Sequence, residues 1–212
     1  MKRPIVLLAV MASLLPSGAS AQLAPGASGT SSEPVDATMD EYWSGISEMG
    51  RCMATSKRDK ALIFLQTDVG SADEGKAFKQ LFNKQSNACM RNFVRMSFPR
   101  SHLRGTLAEA LYEKAGTNPG VPGPAASAAW PKGPPINAIA RCYVEGHPVE
   151  AQRLLRETRL GTKGERATIE KMAPQIAPCF PEGLKATLNP SYFRLAIAEA
   201  MYHAAGATIE RN

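Results

Sequence analysis

Apolar residues recur with the period of an α-helix in two segments of the chain. The segment that follows Pro99 spaces its apolar residues three or four positions apart, so that they share one helix face. They are Leu103, Leu107, Ala110 and Leu111. The segment that follows Asn189-Pro190 repeats this spacing with Phe193, Ile197, Ala200 and Met201. Each segment leads to a glycine, Gly116 or Gly206, which is typical of the end of a helix.

Three further helices are predicted ahead of each of these segments. The first runs near 39–54 and near 136–145, and the second near 57–66 and near 148–157. The third begins at Ser71 and at Thr162, where a glutamate three positions later completes the S/T-x-x-E pattern of a capping box. Residues 90–98 and 180–188 fit an irregular loop or a short strand. The patterns together predict an all-α fold.

The second half of the chain repeats the first at an offset of 90 residues. Cys52 matches Cys142, Cys89 matches Cys179, and the two terminal helical segments match each other. This self-similarity predicts a tandem duplication of a roughly four-helix unit. Helical repeat 1 spans 39–116, helical repeat 2 spans 136–206, and a C-terminal tail occupies 207–212. The two repeats either fold separately or pack as one body.

The amino-terminal residues predict export. Lys2 and Arg3 precede an apolar run of about a dozen residues, which is shorter than the roughly 20 needed to span a bilayer. Ala19-Ser20-Ala21 then offers small residues for cleavage, so we expect a signal peptide over 1–21 that is cleaved after Ala21. The expected location is periplasmic or secreted, without a transmembrane segment after signal removal. An uncleaved membrane anchor is the alternative.

Two segments lack a pattern that could build a core. Residues 22–38 are small and polar, which predicts a disordered spacer. Residues 117–135 form a Pro/Gly/Ala linker between the repeats, with an extended path. Trp130 is the exception within this linker, and we expect it to dock onto one repeat.

The four cysteines predict two disulfides, because an even number in an exported chain is typical of crosslinks. The duplication favours Cys52–Cys89 and Cys142–Cys179, since one ancestral unit would have closed its own bridge. Each repeat is then stapled by one disulfide. A four-thiolate zinc site is the alternative, but its ligands usually come as Cys-x-x-Cys pairs.

The charge of the chain is mildly basic. The formal net charge is +6, and loss of Lys2 and Arg3 leaves +6 − 2 = +4. This excess allows attraction to an anionic surface without requiring a polyanion as partner. A basic stretch supplies the candidate anion-binding residues, which are Arg91, Arg95, Arg100 and Arg104. In an exported protein, anionic glycans or lipid headgroups fit them better than nucleic acid does, and solvated loop arginines are the plain alternative.

Candidate acid–base residues lie on the last helix of each repeat. Glu109 and Tyr112 are three positions apart and share a face, as do Glu199 and Tyr202. A carboxylate beside a phenol can transfer protons, whereas a structural role would bury the tyrosine rings and pair their hydroxyls. Other signals are weak: a near P-loop at 70–77 ends in Ala77, where a hydroxyl is required. We therefore expect no catalytic residue, no cofactor and no metal.

The chain resembles uncharacterised exported two-repeat helical proteins of alphaproteobacteria. The likeness lies in the signal peptide, the Arg-Cys pairs at 51–52 and 141–142, and the segments 103–112 and 193–202. It implies no activity and no site. The leading hypothesis is a non-catalytic binding or interaction module of the cell envelope, with an anionic glycan or another protein as partner. The alternative is a periplasmic enzyme with a carboxylate-based site between the two repeats.

Overall fold

The computed structural model describes residues 38–82, 88–89, 97–115, 130–184 and 187–205, and within them the fold is all-α, as predicted. These residues contain eight α-helices and no strand. The helices are α1 Met39–Ser56, α2 Arg58–Leu65, α3 Ala72–Leu81, α4 Arg100–Ala115, α5 Pro135–Gly146, α6 Pro148–Glu157, α7 Lys163–Ile176 and α8 Pro190–Ala204. A short 3-10 turn, Ala177–Cys179, follows α7.

The starts of α3 and α7 are fixed by their caps. The hydroxyls of Ser71 and Thr162 each accept the amide of the glutamate three positions later, as predicted. The glutamates themselves depart from the predicted capping box. Each is buried, and its carboxylate accepts the amide of the glycine before the cap, Gly70 or Gly161. Both glycines have a φ of +81°, so the two turns share a left-handed residue that favours glycine.

The core is centred on α4 and α8, which pack against each other. Both helices are buried around most of their circumference; α1 and α2 cover α4, while α5 and α6 cover α8. Gly105 sets the closeness of this packing, because a Cβ at that position would lie 2.5 Å from the Cβ of Leu195. The two halves therefore pack as one body around a tight helix crossing.

Both predicted disulfides are present. Cys52–Cys89 joins α1 to the described residues 88–89, and Cys142–Cys179 joins α5 to the turn after α7. All four cysteines are thus used, which removes the zinc alternative. Each bridge closes a loop within its own half of the chain. Two structural disulfides are typical of a protein that works outside the cytoplasm.

Trp130 docks as predicted, on the second half. Its ring lies 5.5 Å from the ring of His203, and the guanidinium of Arg141 stacks over it at 4.8 Å. Residues 97–99, 180–184 and 187–189 form neither helix nor strand. Among the helices that the structure describes, none combines the length and apolar character needed to cross a membrane.

Several predictions lie outside the described residues. They concern the signal peptide at 1–21, nearly all of the spacer at 22–38, most of the linker at 117–135, the tail at 207–212, and Arg91 and Arg95. Thr38, the last spacer residue, is described and is the N-cap of α1. Its hydroxyl accepts the amide of Glu41, whose carboxylate accepts the amide of Thr38 in return.

Candidate functional site

Two ion pairs join the central helices α4 and α8, and each runs from an arginine on one helix to a glutamate on the other. Arg104 on α4 donates from Nε to Glu199 Oε1 on α8, at 2.6 Å. Arg194 on α8 donates from Nη2 to Glu109 Oε1 on α4, also at 2.6 Å. The arginine side chains are only 1% and 2% exposed. Each half thus supplies a carboxylate to the buried arginine of the other half.

Further donors of both arginines bind the ends of neighbouring helices. Arg104 donates to two carbonyl oxygens at the end of α2, and Arg194 to two near the end of α6. These carbonyls belong to Phe64, Leu65, Leu154 and Leu155. The last carbonyls of a helix have no partner within the helix and carry its negative dipole end, so a buried cation stabilises them. Each arginine therefore fixes three helices relative to one another.

The pKa values of Glu109 and Glu199 are shifted in opposite directions. Burial raises the pKa of Glu109 above the ordinary glutamate value of 4.5, although Arg194 opposes the shift. Burial also acts to raise the pKa of Glu199, but His203 and Arg104 together hold it below that value. The amide of Asn137 donates a further hydrogen bond to Glu199, at 3.3 Å. The difference arises because Glu199 has more partners than Glu109.

The two tyrosines of the predicted acid–base pairs belong to the core. Tyr112 and Tyr202 are only 4% and 3% exposed. Gln152 donates to the Tyr112 hydroxyl at 3.1 Å, as a structural role requires. Burial raises the pKa of Tyr202 to about 12. The glutamates three positions earlier are instead paired with arginines, so each predicted Glu–Tyr pair has separate partners.

A polar groove of about 640 Å³ lies between α1 and the segment that joins α6 to α7. Its floor contains the Arg194–Glu109 pair. Three exposed arginines line it, and none of them forms an ion pair with a described residue: Arg51, Arg156 and Arg159. The sequence does not predict this groove, because its walls come from residues more than a hundred positions apart. We refer to it as the polar groove.

A smaller cavity of about 190 Å³ lies beside Arg104 and Glu199. His102 lines it, with Nδ1 at 2.5 Å from the Tyr42 hydroxyl and its ring packed 4.7 Å from that of Tyr192. Burial lowers the pKa of His102, which favours the neutral ring. This histidine therefore belongs to an aromatic cluster.

The two predicted anion-binding arginines that the structure describes, Arg100 and Arg104, lie in different environments. Arg104 is buried and saturated by the protein itself, so an external anion has no access to it. Arg100 is half exposed and lies 3.4 Å from the carboxylate of Glu74. The described part of the chain holds no cluster of three or more His, Cys, Asp or Glu side chains arranged for a metal ion.

Comparison with protein-family models, with curated proteins and with solved structures gives no match to this chain.

Proposed function

We propose that this chain is an exported, non-catalytic binding module of the cell envelope and that it holds its partner in the polar groove. The observation that carries the proposal is the rim of exposed arginines that form no ion pair within the described residues, above a floor that buried hydrogen bonds hold rigid. A site that needs no rearrangement loses little entropy when it binds. Charged rim residues also speed the encounter with a partner of opposite charge.

The state of the candidate carboxylates supports binding over catalysis. Glu109 and Glu199 each accept a 2.6 Å hydrogen bond from a buried arginine. At Glu199, whose pKa is lowered, a proton transfer would remove the closest counter-charge of the buried Arg104, which is costly. The neighbouring tyrosines are buried in the core.

The same proposal includes a tandem duplication of the four-helix unit and export by a signal peptide cleaved after Ala21. Matching contacts support the duplication. Arg104 donates to the carbonyl of Phe64, and Arg194 donates to the carbonyl of Leu154, 90 positions later. Arg104 also donates to the hydroxyl of Thr67, and Arg194 to that of Thr158, which is 91 positions later. A one-residue insertion before Thr158 accounts for this change in offset.

Photo-crosslinking tests the proposed binding surface. A benzophenone side chain is placed at Ser44, which is exposed and lines the polar groove, and at Ser56, an exposed serine at the other end of α1. We expect the oxidised protein to crosslink an envelope component from Ser44 and not from Ser56. Equal crosslinking from both serines, or crosslinking from Ser56 alone, would place the partner elsewhere and refute the proposal.

A carboxylate enzyme is the second candidate, and one observation favours it. Glu109 lines the polar groove and has a raised pKa, which is common among general acids. The test is turnover of envelope glycans and esters by the wild-type protein and by Glu109→Gln. Turnover that disappears in Glu109→Gln while the fold is kept would establish the enzyme and overturn the binding module.

A further inference from the structure

We propose that a groove between α7 and residues 187–190 binds a small, neutral aromatic molecule. This groove has a volume of about 620 Å³ and shares no lining residue with the polar groove. It is therefore a second site, and its ligand goes beyond the proposed function without depending on it. We refer to it as the apolar groove.

The lining of the apolar groove is mostly hydrophobic. Its apolar residues are Ile169, Ala173, Ile176, Ala177, Phe180, Leu188 and Pro190. Ala173 and Ala177 are exposed and Phe180 is half-buried, so a molecule in the groove can contact them without any rearrangement. The polar residues of the lining are Arg166, Glu170, Thr187 and Asn189. A mainly apolar lining with few polar groups, at this volume, is the usual form of a small-molecule site.

Three aromatic rings pack together in the first half of the chain. Phe78 lies on α3, Phe82 follows its last residue, and Phe98 precedes α4. The ring centroids are 4.8 Å apart for Phe78 and Phe82, and those of Phe98 lie 6.3 Å and 6.1 Å from them. Rings at such distances attract one another beyond the area that they bury. This part of the first half is thus filled by aromatic side chains.

The matching positions of the second half carry smaller side chains. Phe78 and Phe82 lie seven and eleven positions after the N-cap of α3, and Ile169 and Ala173 lie equally far after the N-cap of α7. Leu188 lies two positions before α8, as Phe98 does before α4. All three of these smaller residues line the apolar groove. Open space therefore lies in the second half where the first half packs three rings.

A rigid ring suits this space better than a flexible aliphatic chain does. A rigid ligand loses less conformational freedom on binding than an alkyl chain of similar size. Phe180, which lines the groove, also provides a ring on which a bound aromatic group can stack. Aromatic chemistry therefore matches both the lining and the packing of the first half.

The charges and the size of the site favour a small neutral ligand. Arg166 and Glu170 are the charged residues of the lining, one of each sign, and both are exposed. An ionised ligand would lose hydration without meeting a buried counter-charge in the groove, which is unfavourable. Eleven residues line the groove, whereas a standard protein interface takes about 20–30 residues from each side. A small molecule therefore fits better than a protein partner.

The neutral dye N-phenyl-1-naphthylamine tests the proposal, because its fluorescence rises when it leaves water. We expect the oxidised full chain to bind the dye saturably at one site. Two neutral alcohols of similar hydrophobicity, 1-naphthol and 1-octanol, are then compared as competitors. The naphthol should displace the dye at a concentration about tenfold lower, because only it can stack. Absence of saturable binding, or equal displacement by both alcohols, overturns the proposal.

Two substitutions place a ring where the first half has one. Ala173→Phe and Leu188→Phe should each weaken dye binding by about tenfold or more, because the new ring occupies the space of the ligand. Their thermal melts should match or exceed wild type, since both rings fill open space. Ala167→Phe is the matched control, because Ala167 is an exposed alanine of α7 that does not line the groove.

The variants also give the results that would refute the proposal. Wild-type affinity in the filled variants, or an equal loss of affinity in Ala167→Phe, would place the dye elsewhere. A dimer of the wild-type chain that dissociates in Ala173→Phe, measured by sedimentation, would make a second copy the occupant and overturn the small-molecule ligand. Either filled variant decides the question if the other does not fold.

Discussion

A single methyl group at position 161 tests how the two halves of the chain are joined. Gly161 lies in the turn before α7, and Trp43 of α1 packs directly on it. A Cβ at this position would lie 2.5 Å from Trp43 Cγ and 2.9 Å from Trp43 Cβ, so the indole must move. Gly70 is the matched control, because it has the same φ of +81° and nothing within 4 Å of its Cβ position.

The two substitutions differ by the cost of moving the indole. Alanine in the left-handed region costs about 1–2 kcal/mol, and this cost applies to both Gly70→Ala and Gly161→Ala. Trp43 is only 5% exposed, so its displacement adds an overpacking cost of about 1–3 kcal/mol. We therefore expect Gly161→Ala to lose about 2–5 kcal/mol of unfolding free energy and Gly70→Ala about 1–2 kcal/mol.

Urea unfolding with both disulfides intact measures this difference. The chain has two tryptophans, so a Trp130→Phe background assigns the fluorescence signal to Trp43. A double-mutant cycle with Trp43→Leu isolates the contact, since the additional cost of Gly161→Ala should shrink when the indole is absent. All four variants of this cycle are followed by the circular dichroism of the helices, because the Trp43→Leu variants keep no tryptophan in the Trp130→Phe background. Equal free energies for the Gly70 and Gly161 variants, or an unchanged cost in the Trp43→Leu background, would refute the reasoning.

Three further predictions concern the central helices. Tyr112→Ala and Tyr202→Ala should each lower the free energy of unfolding by about 3 kcal/mol, because each removes a buried ring. If the thermal melts of these variants match wild type while partner binding is lost, the rings serve binding and not the core. Arg104→Met should cost about 3–5 kcal/mol in urea melts by leaving Glu199 buried without its arginine, and Glu199→Gln should restore much of this loss. The pH dependence of stability should be opposite for the two glutamates. The raised pKa of Glu109 means that its contribution is complete below pH 4.5 and is lost as pH rises, whereas the lowered pKa of Glu199 means that its contribution is lost as pH falls. Urea melts of wild type, Glu109→Gln and Glu199→Gln at pH values on both sides of 4.5 give each glutamate's contribution to the unfolding free energy as a function of pH. Two contributions that change with pH in the same direction would contradict the assignment.

The sequence predicts the helices well because their boundaries depend on local chemistry. Ser71 and Thr162 cap α3 and α7 through bonds to residues three positions away. The disulfides could be predicted from the equal spacing of the two cysteine pairs, and each bridge closes within one half. Such features need no knowledge of how the halves pack.

The exchanged ion pairs could not be predicted in this way. An arginine on a helix is usually solvent-exposed, and the partners of Arg104 and Arg194 lie 95 and 85 positions away. One signal was present: each segment places an arginine and a glutamate five positions apart among apolar and small residues. Residues five apart on a helix do not face each other, so burial of both required partners elsewhere. The polar groove was missed for the same reason, because it exists only after the halves pack.

The exchange of ion pairs imposes an order on how the protein is made. Ribosomes synthesise the chain from its amino terminus, so Arg104 emerges 95 residues before Glu199. Until then, the first half can close its helices and its own disulfide but cannot bury this guanidinium against its partner. Contacts this distant in sequence form late, after the cost of closing a long loop has been met. The first half can therefore bond Arg104 to its own α2 carbonyls, but the ion pair with Glu199 and the closed core wait until the last helix arrives.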